Sequence, residues 1–440
     1  MHETAATLSP FDAAAIVIVV AAVLGFFNHR VLKLPHVIGL TVMGAAVALG
    51  LTLLNYVFPG LTFDTRVATF LAQIDFEQTL MEGMLSFLLF AGALHVDLNE
   101  MKKGWLPILV LSTAGVLIST MLVGFGFSWL AGALGFTVPF IWCLLFGALI
   151  SPTDPVSVLG ILKRADVPPS LQATVAGESL FNDGVGVVVF SIILSAAISG
   201  ADFSLVEGAQ LFALEAGGGI LVGLVTGWLA YKAMAAIDEY ALEVLISLAV
   251  VMGGYALANH LHFAGPVAMA VAGLLIGNQG VTYAMSDTTR DYLLKFWELI
   301  DEVLNSVLFL LIGLEVIVLT MQPSLIVLGL LALPLVLLAR TIAVGVPLLA
   351  IRPVKKLDRP AFPILVWGGL RGGISIALAL SLPPGELRDA LLTATFVIVL
   401  FSVLVQGATV GRLVRRLQGE NAPSQIKPPP DRDRVPRPQA

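Results

Sequence analysis

Long apolar blocks alternate with short polar breaks along almost the whole chain. An α-helix needs about 20 apolar residues to cross a bilayer core about 30 Å thick, and most of the blocks reach that length. The pattern predicts an all-α polytopic membrane protein with about thirteen transmembrane helices. The predicted spans are 11–27, 34–57, 78–96, 105–133, 138–161, 170–199, 205–233, 239–258, 264–279, 293–320, 324–350, 360–382 and 389–411.

Basic residues fall on alternate connections between these predicted spans. Connections that follow odd-numbered spans carry them, as at Lys102, Lys103 and Arg290, whereas the opposite connections hold only Arg66 and Arg388. Basic connections are retained on the cytoplasmic side of a membrane. We therefore expect a multi-pass protein of the bacterial inner (plasma) membrane, with a periplasmic N-terminus and a cytoplasmic C-terminus.

Composition excludes several classes of protein. Hydrophobic residues make up 58% of the chain and charged residues 12%, and the mean hydropathy is +0.94, values outside the range of water-soluble proteins. The net charge of −6 argues against nucleic-acid binding, and the single Cys143 excludes a disulfide framework. No Walker loop is present, so transport would have to be driven by an ion gradient and not by ATP.

The end of the chain differs from the rest. After residue 417 the sequence is dominated by Pro, Gln and alternating charges, a composition that buries too little apolar surface to fold. We predict a transmembrane domain over 1–417 and a disordered cytoplasmic tail over 418–440.

A few ionisable residues lie inside the predicted spans. Such residues cost several kcal/mol unless they are paired or hydrated, so each one is a candidate for function. We expect Glu315, near the outer end of its span, to reach water. The set is Asp154, Glu178, Asp183, Glu315, Arg340 and Arg371.

Two predicted spans contain residues that interrupt helices. In the fifth span Pro152 and Pro155 flank Asp154, and each proline removes a backbone donor. In the twelfth span the glycines around Arg371, among them Gly369 and Gly372, permit the chain to unwind. A pair of broken spans in two halves of a chain is typical of inverted-repeat transporters, whose half-helix ends meet at the substrate site.

The sixth span has the densest group of polar residues. Ser179, Asn182 and Asp183 are spaced i, i+3 and i+4, so they share one helix face. Together with the oxygens of Thr153 and Asp154 at the break in the fifth span, they predict an oxygen cage for a hard cation. Glu178 and Arg340, two buried charges of opposite sign, lie outside this set. We predict that they pair with each other.

One carboxylate in such a cage can serve two ligands in turn. Ionised, Asp183 binds a cation, whereas in a desolvated site without a cation the neutral acid is the favoured form. Competition between cation and proton for Asp183 is by itself an exchange mechanism.

These motifs together resemble those of the NhaP-type sodium/proton antiporters, relatives of the eukaryotic sodium/hydrogen exchangers. The resemblance extends over about residues 15–415. One departure is Ala91, at a position after Leu-Leu-Phe where many family members carry an acidic residue. The motifs that carry the resemblance are Thr-Asp-Pro at 153–155, Gly-Glu-Ser-Leu-Phe-Asn-Asp at 177–183, Gly-Pro-Val-Ala at 265–268, Arg340, and Gly-Gly-Leu-Arg-Gly at 368–372.

The resemblance implies a homodimer in which a core subdomain moves against a dimerisation subdomain, the two interleaved along 1–417. It implies that Asp183 carries the ion, with Ser179 and Thr153 among the Na⁺ ligands and Asn182 and Asp154 around them. It also implies that Glu178 is paired with Arg340. An Asn-Asp pair, where related antiporters have Asp-Asp, is associated with electroneutral one-for-one exchange.

We therefore predict a secondary-active Na⁺(Li⁺)/H⁺ antiporter for sodium and pH homeostasis, with no cofactor, no enzymatic activity, and the lipid bilayer and a second copy as partners. A K⁺/H⁺ antiporter is the alternative, because a slightly different cage would hold K⁺. A cation channel is less favoured, since no repeated carbonyl-donating filter segment is present. An intramembrane enzyme is disfavoured, because the predicted spans contain no nucleophile–base pair and no metal-ligand cluster.

Overall fold

The structure is a computed structural model that describes residues 10–58, 83–154, 158–159, 162, 167–199, 205–281, 284–315, 322–353 and 361–418. Within these ranges the regular elements are helices, and the one β-type pairing is an isolated bridge. This agrees with the predicted all-α class. In a bilayer core a helix satisfies its backbone donors and acceptors internally, which is the reason that long apolar blocks become helices.

We number the helices in chain order. They are α1 (Pro10–Phe27), α2 (His36–Val57), α3 (Leu85–Leu94), α4 (Leu98–Lys103), α5 (Trp105–Ala133), α6 (Phe140–Ile150), α7 (Pro169–Ser199), α8 (Leu205–Met234), α9 (Tyr240–His260), α10 (Gly265–Leu275), α11 (Asp287–Leu314), α12 (Pro323–Ile351), α13 (Ala361–Trp367), α14 (Gly373–Leu380), α15 (Glu386–Phe401) and α16 (Gly407–Gln418). A π-helical turn, Ser402–Gln406, joins α15 to α16.

Eight helical segments in the described part are long and apolar enough to cross a membrane. Two shorter apolar helices, α3 and α6, accompany them. The predicted number of thirteen spans stays a prediction, as do the inverted repeats. The predicted start of the third span, several of the charged connections and the tail after residue 418 lie outside the described residues.

Helix α11 begins earlier than the sequence pattern predicts. The apolar block starts at residue 293, but the helix begins at Asp287, where the Ser286 side chain accepts a hydrogen bond from the Thr289 amide at 3.4 Å. A serine at this position satisfies one of the free donors of a helix start. The first turns of α11 are therefore polar helix that precedes the apolar block.

The two spans with predicted breaks are both interrupted. Helix α6 ends at Ile150 and the chain is non-helical from Ser151 to Asp154, while α13 and α14 are separated by an unwound stretch after Trp367. The Asp154 amide donates to the Leu370 carbonyl at 2.8 Å, so the two unwound stretches lie side by side. The fold thus brings non-helical backbone from distant parts of the chain to one place.

Small residues allow the helices to approach closely, as is common in membrane proteins. A Cβ atom on Gly44 of α2 would lie 2.8 Å from the Leu310 carbonyl oxygen of α11, and Gly313 lies on the same contact. The N-terminal half of α11 packs with α3 and α9 through Trp297, in the cluster that also includes α10, whereas its C-terminal half belongs to the largest core cluster. Helix α11 therefore connects the two main apolar clusters of the protein.

Candidate functional site

The Arg371 guanidinium holds the broken end of α6. Its Nη1 donates to the carbonyl oxygens of Ser151 and, at 2.9 Å, of Pro152, while the Arg371 amide donates to Ser402 Oγ at 2.8 Å. The last carbonyls of a helix lack intrahelical partners. Arg371 supplies partners for the two carbonyls that directly follow Ile150, the last residue of α6, and so it stabilises the interruption at which Asp154 lies.

Thr153 connects this interruption to α7. Its hydroxyl lies 3.1 Å from Ser179 Oγ and accepts a hydrogen bond from Asn182 Nδ2 at 2.8 Å, and its amide donates to Asn182 Oδ1 at 3.2 Å. All three side chains are buried. The i and i+3 spacing on α7 thus places Ser179 and Asn182 together on Thr153.

Asn182 extends the network to a buried ion pair. Its Nδ2 also donates to Glu178 Oε1 at 3.1 Å. Arg340 of α12 binds the same carboxylate through two bonds, from Nη1 to Oε1 at 2.6 Å and from Nη2 to Oε2 at 2.9 Å. Nη2 further donates to the Leu365 carbonyl at 2.9 Å. A Cβ on Gly369 would lie 2.6 Å from Arg340 Nε, so only glycine leaves room for this guanidinium.

Asp183, the residue after Asn182, lines a cavity of about 330 Å³. Its side chain is 4% exposed, and Oδ1 has no hydrogen-bond partner among the described residues. Asp154 and Pro152 line the same cavity. The Asp183 and Asp154 carboxylates interact electrostatically, and Arg371 supplies the nearby positive charge.

The structure therefore divides the predicted cage into two layers. Asp183 and Asp154 line the cavity, whereas Thr153, Ser179 and Asn182 do not line it and bond to one another behind it. Gly372 leaves room for Asp154, because a Cβ there would lie 2.8 Å from Asp154 Cβ. Pro155 lies outside the described residues. Ala91, at the position where relatives carry an acidic residue, is also in the cavity wall.

The expectation that Glu315 reaches water is wrong. Its side chain is 4% exposed, because the end of α11 packs against α2 at Gly313 and Gly44.

Sequence reasoning also missed four polar residues in or near the spans, namely Glu243, Asp301, Asn305 and Ser375. Asp301, Asn305 and Ser375 line the cavity. The helical spacing of 301 and 305 was the signal that could have found two of them.

The site contains no constellation typical of a transition-metal centre. In the described ranges, no three His, Cys, Asp or Glu side chains lie where they could share a metal ion. The oxygen atoms around Asp183 are of the kind that hard monovalent cations prefer. Such a cation would be cargo, not a resident cofactor.

Comparison with known proteins agrees with this arrangement. Residues 17–416 match the family model described as sodium/hydrogen exchanger, transmembrane. The chain is 47% identical over 414 residues to the Na(+)/H(+) antiporter NhaP of Pseudomonas aeruginosa, across 92% of this chain and 96% of that protein. It is 35% identical over 393 residues to the Na(+)/H(+) antiporter NhaH of Halobacillus dabanensis, across 88% and 93% of the two chains.

A solved structure shares the fold. The sodium proton antiporter MjNhaP1 from Methanocaldococcus jannaschii matches with a TM-score of 0.73, over 93% of this chain and 99% of that one. The sequence identity in that comparison is 21%, so the likeness shows the common architecture alone.

Proposed function

This chain belongs to the transmembrane sodium/hydrogen exchanger family, and we propose that it exchanges Na⁺ or Li⁺ for H⁺ by letting the two ions compete for Asp183. The family match confirms the predicted resemblance, and the family is one of transporters. The observation that carries the proposal is the buried Asp183 carboxylate, whose Oδ1 has no hydrogen-bond partner in the described part and which lines a cavity.

Competition follows from the chemistry of a buried carboxylate. An ionised carboxylate away from water is costly unless a cation or a proton neutralises it. Asp183 therefore holds one ion or the other, and release of one favours binding of the other. Thr153, Ser179 and Asn182 hold the backbone around the carboxylate in place, and the Thr153 and Ser179 hydroxyls can turn toward a bound Na⁺ from behind.

We extend the proposal to the assembly. The protein forms a homodimer in a bacterial inner membrane, with its N-terminus in the periplasm and its C-terminus in the cytoplasm. The transmembrane part, 1–417, comprises interleaved core and dimerisation subdomains, and 418–440 is a disordered tail. The activity supports sodium and pH homeostasis. The membrane-spanning family, the alternating basic connections and the named antiporter relatives support this extension.

Ion flux in proteoliposomes tests the exchange itself. Purified protein is reconstituted, and Na⁺, Li⁺ or K⁺ is added outside while an internal dye reports pH. We expect Na⁺ and Li⁺ to drive proton efflux and K⁺ to have no effect. Proton efflux driven by K⁺ instead would favour the K⁺/H⁺ alternative, and current without coupled proton movement would favour a channel.

Exchange is expected to be electroneutral. If Asp183 alone changes ligands, the loaded site carries the same charge with Na⁺ as with H⁺, because Asn182 contributes no second titrating group. The membrane potential is worth about 2.3 kcal/mol per elementary charge per 100 mV, and it should do no work on this cycle.

The measurement fixes the Na⁺ and pH gradients and varies the voltage with K⁺ and valinomycin, once K⁺ is shown not to be a substrate. The Na⁺ gradient at which net flux is zero should not move with voltage. A shift would mean that a second carboxylate, with Asp154 the first candidate, also exchanges protons.

A further inference from the structure

One face of α11 presents a row of acidic and amide side chains to the cavity that contains Asp183. Glu298, Asp301, Glu302 and Asn305 are spaced i, i+3, i+4 and i+7, so they share that face, and all four line the cavity. The four side chains differ in exposure. Glu298 and Glu302 are exposed, Asp301 is partly buried and Asn305 is 4% exposed.

The inner end of the row lies among polar groups that the proposed exchange at Asp183 does not use. Ser375 of α14 and Asn305 both line the cavity; Ser375 Oγ has no hydrogen-bond partner among the described residues, and the Asn305 amide lies beside the Asp301 carboxylate. Buried polar atoms normally find partners, so the unpaired Ser375 hydroxyl, 1% exposed at a cavity lined by carboxylates, points to a bound ligand. The terminal amide of Asn305 can present either its oxygen or its nitrogen, since the two orientations have nearly the same shape.

The charge at this place determines the kind of ligand. The Asp301 and Asp154 carboxylates are close enough to interact electrostatically, although they belong to different segments of the chain. Two like charges in a partly desolvated cavity repel each other. A cation between them removes the repulsion, and carboxylate, amide and hydroxyl oxygens are suitable ligands for a hard one.

We propose that Asp301, with Asn305 beside it and Ser375 of α14, forms a second binding station for the transported monovalent cation, between the cavity mouth and Asp183. The inference rests on the proposed antiport. A cation entering past Glu298 and Glu302 would lose part of its water at Asp301 before it reaches Asp183. The loss of hydration is thereby divided between two sites.

The station does not change the stoichiometry. Asp301 lies on α11, which packs against α2, α3 and α9, whereas Asp183 lies on α7. A cation passes from a group on one wall of the cavity to a group on the other. Only the group that accompanies the ion across the membrane enters the charge balance, so exchange stays one-for-one.

The test compares Asp301→Asn with Glu302→Gln, a matched control that removes the same charge from the same helix face at an exposed position. Antiport is measured against Na⁺ concentration in proteoliposomes, at low and at high ionic strength set with choline chloride. Salt screens charges separated by more than about 8 Å at 0.15 M. High ionic strength therefore removes long-range attraction of Na⁺ to the acidic face but has little effect on Na⁺ bound in direct contact with Asp301.

For Asp301→Asn we expect the half-saturating Na⁺ concentration to rise about five- to tenfold at both ionic strengths, a change of about 1.0–1.4 kcal/mol in binding free energy. Glu302→Gln should change it less than about twofold, and only at low ionic strength. Ser375→Ala, which removes one neutral ligand, should raise it about two- to threefold. An unchanged half-saturating concentration in Asp301→Asn would contradict the second binding station. A rise that disappears at high ionic strength would also contradict it, because Asp301 would then attract Na⁺ only from a distance.

Equilibrium binding covers the case in which Asp301→Asn is inactive or poorly folded. Binding of ²²Na⁺ to detergent-purified Asp183→Asn is compared with Asp183→Asn/Ser375→Ala, which leaves Asp301 untouched. We expect weak residual Na⁺ binding in the first protein and several-fold weaker binding in the second. Equal binding, or none in either, contradicts the proposal. If the wild-type protein exchanges no Na⁺ for H⁺, it is the proposed function that fails, whatever these variants show.

Discussion

Replacing Asp183 with asparagine is expected to abolish exchange, with antiport in proteoliposomes reduced to the level of protein-free vesicles. The amide has the size of the carboxyl but carries no charge to hold a cation and accepts no proton at physiological pH. Ser179 and Asn182 cannot replace it, because both are engaged with Thr153 and neither carries a charge. Substantial residual Na⁺-driven proton flux would contradict the assignment of Asp183 as the carrier.

The same variant should stay folded, which separates a chemical effect from a structural one. Asp183 is 4% exposed, and its Oδ1 makes no hydrogen bond within the described ranges. The substitution therefore breaks no hydrogen bond at Oδ1, and it removes the free-energy cost of an ionised side chain inside the membrane. We expect the melting temperature in detergent to equal or exceed that of the wild type. Asp291→Asn, at an exposed position paired with Lys295, is the matched control and should exchange normally.

Breaking the Glu178–Arg340 pair is expected to have the largest effect on stability. Arg340→Ala leaves the buried Glu178 carboxylate with Asn182 as its one side-chain donor among the described residues, and it also frees the Leu365 carbonyl. Glu178→Ala leaves the guanidinium without its carboxylate. Stranding one member of a buried pair typically costs about 3–5 kcal/mol, so each single variant should lose about that much free energy of unfolding.

Thermal and denaturant unfolding of detergent-purified protein measures this loss. Lys295→Ala is the control, because it breaks an exposed ion pair to Asp291 at 2.7 Å, close to the 2.6 Å of the buried pair. Exposed pairs are worth about 0.2–1 kcal/mol. The Glu178→Ala/Arg340→Ala double variant should lose less than the sum of the two single losses, since neither charge is then left alone. A single variant that unfolds like Lys295→Ala would show that the pair does not stabilise the fold.

Much of the site follows from short-range sequence features. Prolines around Asp154 and glycines around Arg371 predict interruptions, and the chain is non-helical at both places. The spacing of Ser179 and Asn182 predicts a shared helix face, and both side chains bond Thr153. These features depend on backbone chemistry and helical geometry over a few residues, which any sequence displays directly.

Partner choice is a different matter, as the two buried arginines show. The pattern predicts that Arg340 pairs with Glu178, and the structure places them in bidentate contact. For Arg371 the sequence names no partner, and the structure gives it the carbonyls of Ser151 and Pro152. Every residue has a backbone carbonyl, so the sequence does not indicate which carbonyl will accept a hydrogen bond from an arginine. The acceptors of Arg371 are known only from the structure, in which two distant unwound segments meet.

By itself, the sequence determined the all-α membrane class, the breaks and the composition of the polar face on α7, because each depends on local hydropathy, Pro and Gly, or helical periodicity. Tertiary structure decided that Asp183 faces a cavity while Asn182 turns to Glu178, that Asp301 joins the same cavity, and that Glu315 is buried. In a bilayer, lipid is as apolar as a neighbouring helix, so hydropathy does not say which face of a span meets protein. Close packing at small residues such as Gly44 and Gly313 makes that choice.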